Sequence, residues 1–168
     1  MGGNTPGGKS LTRGERKRPR KSLPPAEPEE HKVKDLEPAT PKPIDHETFQ
    51  WSVKSLDRDY DGDWDWNLAP KETHELLDLL SEMSRLTWRE VKDLKFNSKK
   101  RTRALHHDQP VSSICTEAQK RLAELEVDTE RVFRLRRGNL TRVWGYTAGP
   151  VFNIVWFDRH HKVCPTDD

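Results

Sequence analysis

The sequence predicts an α+β fold, with helices packed on one face of an antiparallel sheet of about four strands. Apolar residues recur at helical spacing through the middle of the chain, whereas the C-terminal part reads as strands separated by glycine turns. The first 48 residues hold eight of the twelve prolines and no aromatic residue. Such a segment buries too little apolar surface to offset its ordering entropy. Residues 1–48 are therefore predicted to be a disordered basic, proline-rich tail, and residues 49–168 a single domain.

The predicted domain begins with a strand that is followed by a helix. Residues 49–53 alternate between apolar and polar side chains, which places Phe49, Trp51 and Val53 on one side of a strand. Pro70 suits the first position of a helix, and apolar residues then repeat at helical spacing as far as Leu86. We expect this helix to pack its apolar stripe on the sheet.

Two further helices are predicted on either side of a polar loop. Thr87 and Glu90 have the spacing of a capping box, which starts a short second helix. Residues 97–110 are polar and basic without periodicity, which predicts a mobile loop. An apolar line at helical spacing then predicts the third helix; its members are Ile114, Ala118, Leu122 and Leu125.

Three consecutive antiparallel strands are predicted to end the domain, over residues 132–136, 141–146 and 151–157. Gly138 and Gly149 fall between them, where hairpin turns need glycine. The last strand is apolar on both faces apart from Asn153, which predicts a central strand covered on both sides. Strict alternation assigns its residues to two faces: Phe152, Ile154 and Trp156 on one, and Val151, Val155 and Phe157 on the other.

Charge is segregated along the chain although the net charge is only +2. Between Arg131 and Lys162 there are seven basic residues against a single acid, Asp158. Cations on a rigid sheet suit a polyanion, so RNA or DNA is the first partner to consider. A second basic run at residues 9–21 predicts either a nucleic-acid arm or a solubilising tail.

Several classes of site are not supported by the sequence. Cys115 and Cys164 are too few and too far apart in sequence for a disulfide framework or a zinc site. Neither a signal peptide nor a membrane-spanning run is apparent, which predicts a cytoplasmic protein without a membrane partner. We expect no cofactor and no small-molecule substrate.

The acidic segment at residues 57–65 matches an EF-hand calcium loop at five positions, including the glycine of the sharp turn, Gly62. The bidentate glutamate of that loop is replaced by Leu68, so tight calcium binding is not expected. The preferred interpretation is an acidic hairpin whose Trp64 and Trp66 pack inward. A weak cation loop, or a site for a basic partner or for the chain's own arginines, remains open.

The C-terminal strands resemble the RelE/ParE toxin superfamily. The motif that carries the resemblance is Arg134-Leu135-Arg136 before the Gly138 turn, followed by Thr141-Arg142-Val143-Trp144-Gly145-Tyr146 and an apolar strand that ends near Arg159 and His160. The C-terminal tyrosine common in nucleolytic members is absent, and Cys164 and Pro165 stand there instead. The chain also looks like small uncharacterised bacterial and mobile-element proteins with a Trp-Gly or His-Gly strand and an Asp-x-x-His close.

The resemblance implies a compact α+β domain that cleaves mRNA on the ribosome, as in the RelE branch, with a cognate antitoxin as partner. The ParE branch acts on DNA gyrase instead. By this resemblance Arg136 and Arg142 would hold a phosphate, and His160 or His161 would move a proton in metal-independent cleavage. The remaining basic residues are expected to contact nucleic acid; they are Arg134, Arg137, Arg159, Lys162, Lys99, Lys100, Arg101, Arg103, His106 and His107.

Each of these assignments has an alternative. The strand arginines are equally well explained as the solvated face of an amphipathic sheet. His106 and His107, with His160 and His161, offer imidazoles for a metal ion, but adjacent histidines on an extended chain point in opposite directions. A nucleic-acid contact is therefore favoured over a metal site. The alternative to a ribonuclease is a non-catalytic interaction module, whose basic sheet binds nucleic acid or an acidic protein.

Overall fold

A computed structural model describes residues 44–97 and 101–165 of the chain. The predictions for residues 1–43, Lys99 and Lys100 lie outside these described residues. The predicted tail boundary at residue 48 is wrong in position, because Ile44–His46 form a 3-10 turn within the domain. Ile44 packs against the core, and Asp45 forms an ion pair with Lys92 at 2.9 Å.

The order of elements follows the predicted succession of a strand, helices and a final three-stranded meander. The strands and helices are β1 Gln50–Ser52, α1 Pro70–Met83, α2 Trp88–Asp93, β2 Lys95–Asn97, β3 Thr102–Ala104, β4 His107–Pro110, α3 Thr116–Glu124, β5 Arg131–Arg137, β6 Thr141–Ala148 and β7 Val151–Asp158. A short 3-10 turn, Val111–Ser113, joins β4 to α3. The α+β class is confirmed. No helix of the described ranges is long and apolar enough to cross a membrane.

The main sheet has five strands in the order β1-β7-β6-β5-β4. β1 runs parallel to β7 and the other pairs are antiparallel, so the sheet is mixed and not purely antiparallel as predicted. A hairpin would force two neighbouring strands to run antiparallel. β1 and β7 are not joined by one, because most of the domain separates them in sequence, so β1 can run in either direction. β7 is an interior strand, but the central position belongs to β6.

The helices cover both faces of this sheet, which corrects the prediction that they share one face. α1 and α2 pack their apolar side chains against Phe133, Leu135 and Val143. α3 packs Ala118 and Leu122 on the opposite face, together with sheet residues that include Trp144 and Trp156. β7 contributes apolar side chains to both clusters and Trp144 of β6 adds to the one on the α3 side, so each side of the sheet needs its own cover.

A β-bulge changes the predicted faces of β7. The β6–β7 register shifts between Trp144, which pairs with Trp156, and Gly145, which pairs with Ile154. Val155 is the extra residue, so Val155 and Trp156 both belong to the cluster on the α3 side. Phe157 thereby joins Phe152 and Ile154 on the α1 side, contrary to strict alternation.

Local sequence signals place both N-terminal helices correctly. Pro70 begins α1, and the Glu72 carboxylate accepts a hydrogen bond from the Ala69 backbone N–H at 2.8 Å. The predicted capping box of α2 is formed: the Glu90 carboxylate accepts from the Thr87 N–H at 2.7 Å.

Two predictions about extended segments were wrong. The region 97–110 is not a loop, because it contains β3, the edge strand β4 and the end of the β2–β3 hairpin. Phe49, Trp51 and Val53 were predicted to share one side of the first strand, but the three side chains are not buried together. Phe49 is buried, whereas Trp51 and Val53 are 39% and 44% exposed. β1 pairs with β7 along one side only, so it lies at an edge of the sheet.

Candidate functional site

The two strand arginines predicted to act together lie directly opposite one another. Arg136 on β5 pairs with Arg142 on β6. Arg134 pairs with Trp144, so it stands two residues along the same face of β5. This is the face on which α3 packs, and the three arginines lie along it. The predicted alignment across the Gly138 turn is therefore present, and Gly138 itself has a positive φ of 60°.

These arginines line a cavity of about 360 Å³. We call it the arginine pocket; its lining residues are Phe96, Arg103, Ala104, His107, Arg134, Arg136, Arg142 and His161. The β2–β3 hairpin supplies one wall, the sheet supplies the arginines, and the turn after β7 supplies His161. Three of the predicted nucleic-acid contacts (Arg103, His107 and Arg134) and three of the four predicted catalytic residues (Arg136, Arg142 and His161) thus line the pocket, from separate parts of the sequence.

Arg134 is held between two histidines. Its Nε donates to His107 Nε2 at 3.1 Å, and its Nη1 lies 2.9 Å from His161 Nε2. Since a guanidinium has only donors, both imidazole Nε2 atoms act as acceptors, which requires neutral rings with the proton on Nδ1. Burial, followed by the neighbouring arginine charges, lowers the pKa of His161 to about 4. Burial likewise lowers the pKa of His107.

Arg142 lies at the bottom of the pocket and is only 5% exposed. Its Nη1 and Nη2 donate to the backbone carbonyls of Thr141 and Asn139, at 2.9 and 3.0 Å. Its buried Nε has no partner among the described residues. Burial first, and then repulsion by Arg134 and Arg136, lowers the pKa of Arg142 to about 10, so it remains charged at neutral pH.

Arg136 lies over the ring of Phe96, with its guanidinium carbon 3.8 Å from the ring centroid. Its Nε donates to the Gly138 carbonyl at 2.8 Å. Desolvation lowers the pKa of this guanidinium. The ion pairs within the described ranges do not include any of the three pocket arginines. Asp158 is the cross-strand partner of Arg142 on β7 and its charge raises the Arg142 pKa, but among the described residues no carboxylate forms an ion pair with any of the three sheet arginines.

His106 lies behind the pocket and is 1% exposed. Its Nδ1 accepts a hydrogen bond from the Arg136 backbone N–H at 3.0 Å, so the proton is on Nε2. That Nε2 has no partner among the described residues. Desolvation lowers the pKa of His106 to about 4. The prediction that His106 contacts nucleic acid directly is wrong, because its side chain is buried and does not line the pocket.

Asp158 fixes the turn that carries His161, a role that was not predicted from the sequence. Its buried carboxylate accepts hydrogen bonds from four donors: the Trp144 Nε1–H and the backbone N–H groups of His160, Lys162 and Val163, at 2.9 to 3.3 Å. The turn then places His161 in the left-handed region, with φ of 59°. The signal in the sequence was the isolation of Asp158, the single acid in a basic segment.

The other predicted residues do not line the pocket. Arg159 forms ion pairs with Asp65 and Glu72 instead, at 3.0 and 2.8 Å. Arg137 lies 3.5 Å from Glu82. The structure places the remaining ones, His160, Lys162 and Arg101, at exposed positions outside the pocket lining. Of the two histidines considered for proton transfer, only His161 reaches the arginines.

The acidic segment serves the chain's own arginines, which was one of its open interpretations. Asp57 is buried and accepts from Arg121 at both oxygens, at 2.7 Å each, and from Trp156 Nε1 at 3.0 Å. Trp64 is buried and Trp66 partly buried, so both pack inward as predicted. Within the described residues, no group of three or more histidine, cysteine, aspartate or glutamate side chains is placed to hold a metal ion.

The arginine pocket concentrates positive charge in a partly buried space. Its guanidiniums are fixed by backbone carbonyls and neutral imidazoles, and burial strengthens their attraction for a negative charge. Comparison of the chain with protein-family models, with curated proteins and with solved structures finds no match in any of the three.

Proposed function

We propose that this protein binds RNA through a phosphate group held in the arginine pocket. The observation that carries the proposal is that Arg134, Arg136 and Arg142 converge on one cavity and that no carboxylate of the described residues forms an ion pair with them. Like charges on opposed strands destabilise a sheet, and burial adds a desolvation cost. A bound anion offsets both costs, which explains why the fold retains the three cations.

A phosphate suits these groups better than a carboxylate or chloride does. Planar guanidiniums donate pairs of parallel hydrogen bonds, and a phosphate offers several oxygens in a tetrahedral arrangement to receive them. Each arginine already has part of its fork anchored, so little side-chain entropy is lost when the ligand binds. Phosphate contacts of this kind supply affinity and position without reading sequence.

RNA is the nucleic acid we favour, since the sheet motif resembles the RelE branch of the toxin superfamily. Ribosome-bound RNA and an antitoxin protein are the partners that this resemblance adds. A single strand fits the geometry better than a duplex does. Arg142 is recessed, and the phosphates of a rigid double helix lie on a convex surface that cannot enter a narrow pocket. A flexible strand can bring one phosphate down to it.

Cleavage of the bound RNA is the second candidate, and the position of His161 beside Arg134 favours it. In that reaction the 2′-hydroxyl oxygen attacks phosphorus and loses its proton to the imidazole. The bond from phosphorus to the 5′-oxygen breaks, and that oxygen takes a proton from water. His161 Nε2 must first release Arg134, because its lone pair accepts from that guanidinium. Binding is therefore the primary proposal.

The test is the affinity for a fluorescent single-stranded RNA across a series of salt concentrations. Arg136→Ala and Arg142→Ala should each weaken binding by about 1–3 kcal/mol and reduce the salt slope by about one phosphate contact. Arg137→Ala is the matched control, because it removes the same charge from the same strand outside the pocket. Equal losses in all three variants would contradict the proposal. A matched DNA strand and gel analysis of the RNA test the choice of RNA and its cleavage.

A further inference from the structure

We infer that the ligand of the arginine pocket is a terminal phosphate monoester at the end of a single strand, not an internal phosphodiester. The inference deepens the proposed function and rests on it. Three features of the pocket carry it: its recessed floor, its walls, and the number of guanidiniums without a counter-ion.

The floor determines how far a phosphate has to enter. Arg142 lines the cavity and is 95% buried, whereas Arg134 and Arg136 are only partly buried. A phosphate that contacts the Arg142 guanidinium must therefore descend below the level of the other two sheet arginines. An internal phosphate enters with a nucleoside on each side of it. A terminal phosphate enters with one.

The walls limit what can accompany the phosphate. The β2–β3 hairpin contributes Phe96, Arg103 and Ala104, and the turn after β7 contributes His161. The enclosed space of about 360 Å³ lies near the lower end of the range of small-ligand sites, roughly 300–1,000 Å³. A cavity of this size holds a phosphate with one attached sugar, and a second nucleoside would have to lie outside it.

The charge of the pocket matches a dianion. A phosphate monoester carries about −1.5 to −2 at pH 7 and presents three terminal oxygens, whereas a diester carries a single charge and presents two. Four arginines line the cavity: Arg103 from the β2–β3 hairpin, and Arg134, Arg136 and Arg142 from the sheet. Arg134 Nη2 and both terminal nitrogens of Arg136 make no hydrogen bond to another described residue, so donors remain for the extra oxygen and charge of a monoester.

A 5′-phosphate and a 3′-phosphate share this chemistry, so the experiment separates them. Three RNA oligonucleotides of one sequence are compared at pH 7.5: one with a 5′-phosphate, one with a 3′-phosphate and one with hydroxyls at both ends. Each carries its fluorophore at an internal base. We expect one phosphorylated form to bind at least about ten times more tightly than the unphosphorylated form, because a charge-assisted hydrogen bond changes the affinity by about that factor.

Variants connect this preference to the pocket. Arg142→Met should reduce the preference to within about twofold, whereas Arg137→Ala should retain it. A mononucleotide with the preferred phosphate should compete with the oligonucleotide, and the corresponding nucleoside should not. Near-ultraviolet circular dichroism verifies that each variant is folded.

The outcomes distinguish the two proposals. Equal affinity for all three oligonucleotides, with a loss in Arg142→Met, would overturn the terminal phosphate and leave RNA binding through internal phosphates in place. Absence of binding to every oligonucleotide would overturn the proposed function and this inference together. A preference that survives Arg142→Met would show that the terminal phosphate binds elsewhere on the protein.

Discussion

Arg136 and Arg142 are direct cross-strand partners on the β5–β6 ladder, and no acidic side chain forms an ion pair with either within the described residues. Like charges in such a pair destabilise a sheet by several tenths of a kcal/mol. Here the cost is larger because Arg142 is buried. Asp158 is the cross-strand partner of Arg142 on β7 and its charge offsets part of this cost, but it makes no ion pair with the guanidinium among the described residues.

The first prediction concerns the stability of Arg142→Met. Replacement of this 95% buried residue should leave the free energy of unfolding unchanged or raise it by about 1–2 kcal/mol. Loss of the hydrogen bonds to the Thr141 and Asn139 carbonyls is offset by relief of repulsion and desolvation. Urea denaturation in chloride buffer measures the difference.

Phosphate buffer at equal ionic strength provides the second arm of that experiment. It should stabilise the wild type by mass action and leave Arg142→Met unaffected. If Arg142→Met lowers the free energy of unfolding in chloride by more than about 1 kcal/mol, Arg142 stabilises the fold as well as forming part of the pocket.

The second prediction concerns acid stability and His106. In the unfolded chain this imidazole takes up a proton near pH 6.5, but in the folded protein it does so only near pH 4. Between these values the unfolded state binds more protons, so stability is lost as the pH falls from about 6.5 to about 4. His106 accounts for up to about 3 kcal/mol of this loss.

His106→Asn tests that assignment, since the Asn oxygen stands near the position of Nδ1 and still accepts from the Arg136 N–H. The slope of unfolding free energy against pH should fall by up to one proton. His74→Asn, at an exposed position on α1, should leave the slope unchanged. Similar slopes in the wild type and His106→Asn would assign the acid sensitivity to other groups, such as His161.

Much of the site was predictable because it lies on a regular hairpin. A glycine turn and a period of two place Arg136 and Arg142 on one face whatever the rest of the fold does. The position of Arg159 outside the arginine pocket was not predictable. Its partners, Asp65 and Glu72, are about ninety residues away in sequence, and only tertiary structure brings them together.

The largest errors came from features that leave no periodic signal. A bulge at Val155 inverts the faces of every later residue in β7, and alternation cannot detect a single extra residue. Residues 107–110 are polar and lie at the edge of the sheet, so they lack the apolar alternation that identifies a strand. Gly145 lies beside this bulge, where a Cβ would lie 2.1 Å from the Asn153 carbonyl oxygen and only glycine fits. A glycine inside a strand is therefore the one clue to the bulge that the sequence offers.

The third prediction concerns Asp57, which joins the acidic segment to α3 and β7. Asp57→Asn should cost about 3 kcal/mol of unfolding free energy, because the Arg121 charge loses its buried partner. The Arg121 and Trp156 hydrogen bonds oppose desolvation and lower the carboxyl pKa, so this contribution is present above about pH 4 and is lost below it.

Asp59→Asn is the control for that variant, because it removes a charge from an exposed position in the same segment. Its effect should stay within about 0.5 kcal/mol. Equal costs for the two variants would mean that the segment's overall charge matters and the buried pair does not.

The fourth prediction is that calcium does not bind the acidic segment tightly. Both Asp57 oxygens accept from Arg121, and Leu68 stands where the bidentate glutamate is needed. Millimolar calcium should leave the melting temperature unchanged, with magnesium as the control. Micromolar affinity by titration calorimetry, lost in Asp57→Ala, would contradict this.

The final prediction concerns Asp158, which positions His161 without lining the pocket. Asp158→Asn replaces one acceptor oxygen by a donor, although four N–H groups converge on the carboxylate. The turn after β7 should loosen, at a cost of about 1–3 kcal/mol. His161 would then leave the buried position where Arg134 and Arg142 depress its pKa.

NMR titration of His161 separates this positioning role from a simple effect of charge. The Asp158 charge raises the His161 pKa, so its removal alone would lower that pKa further below about 4. Release of the ring into solvent would raise the pKa towards 6.5 instead. We expect the increase, together with weaker RNA binding. A His161 pKa that stays near 4 or falls would show that Asp158 does not hold His161 in place.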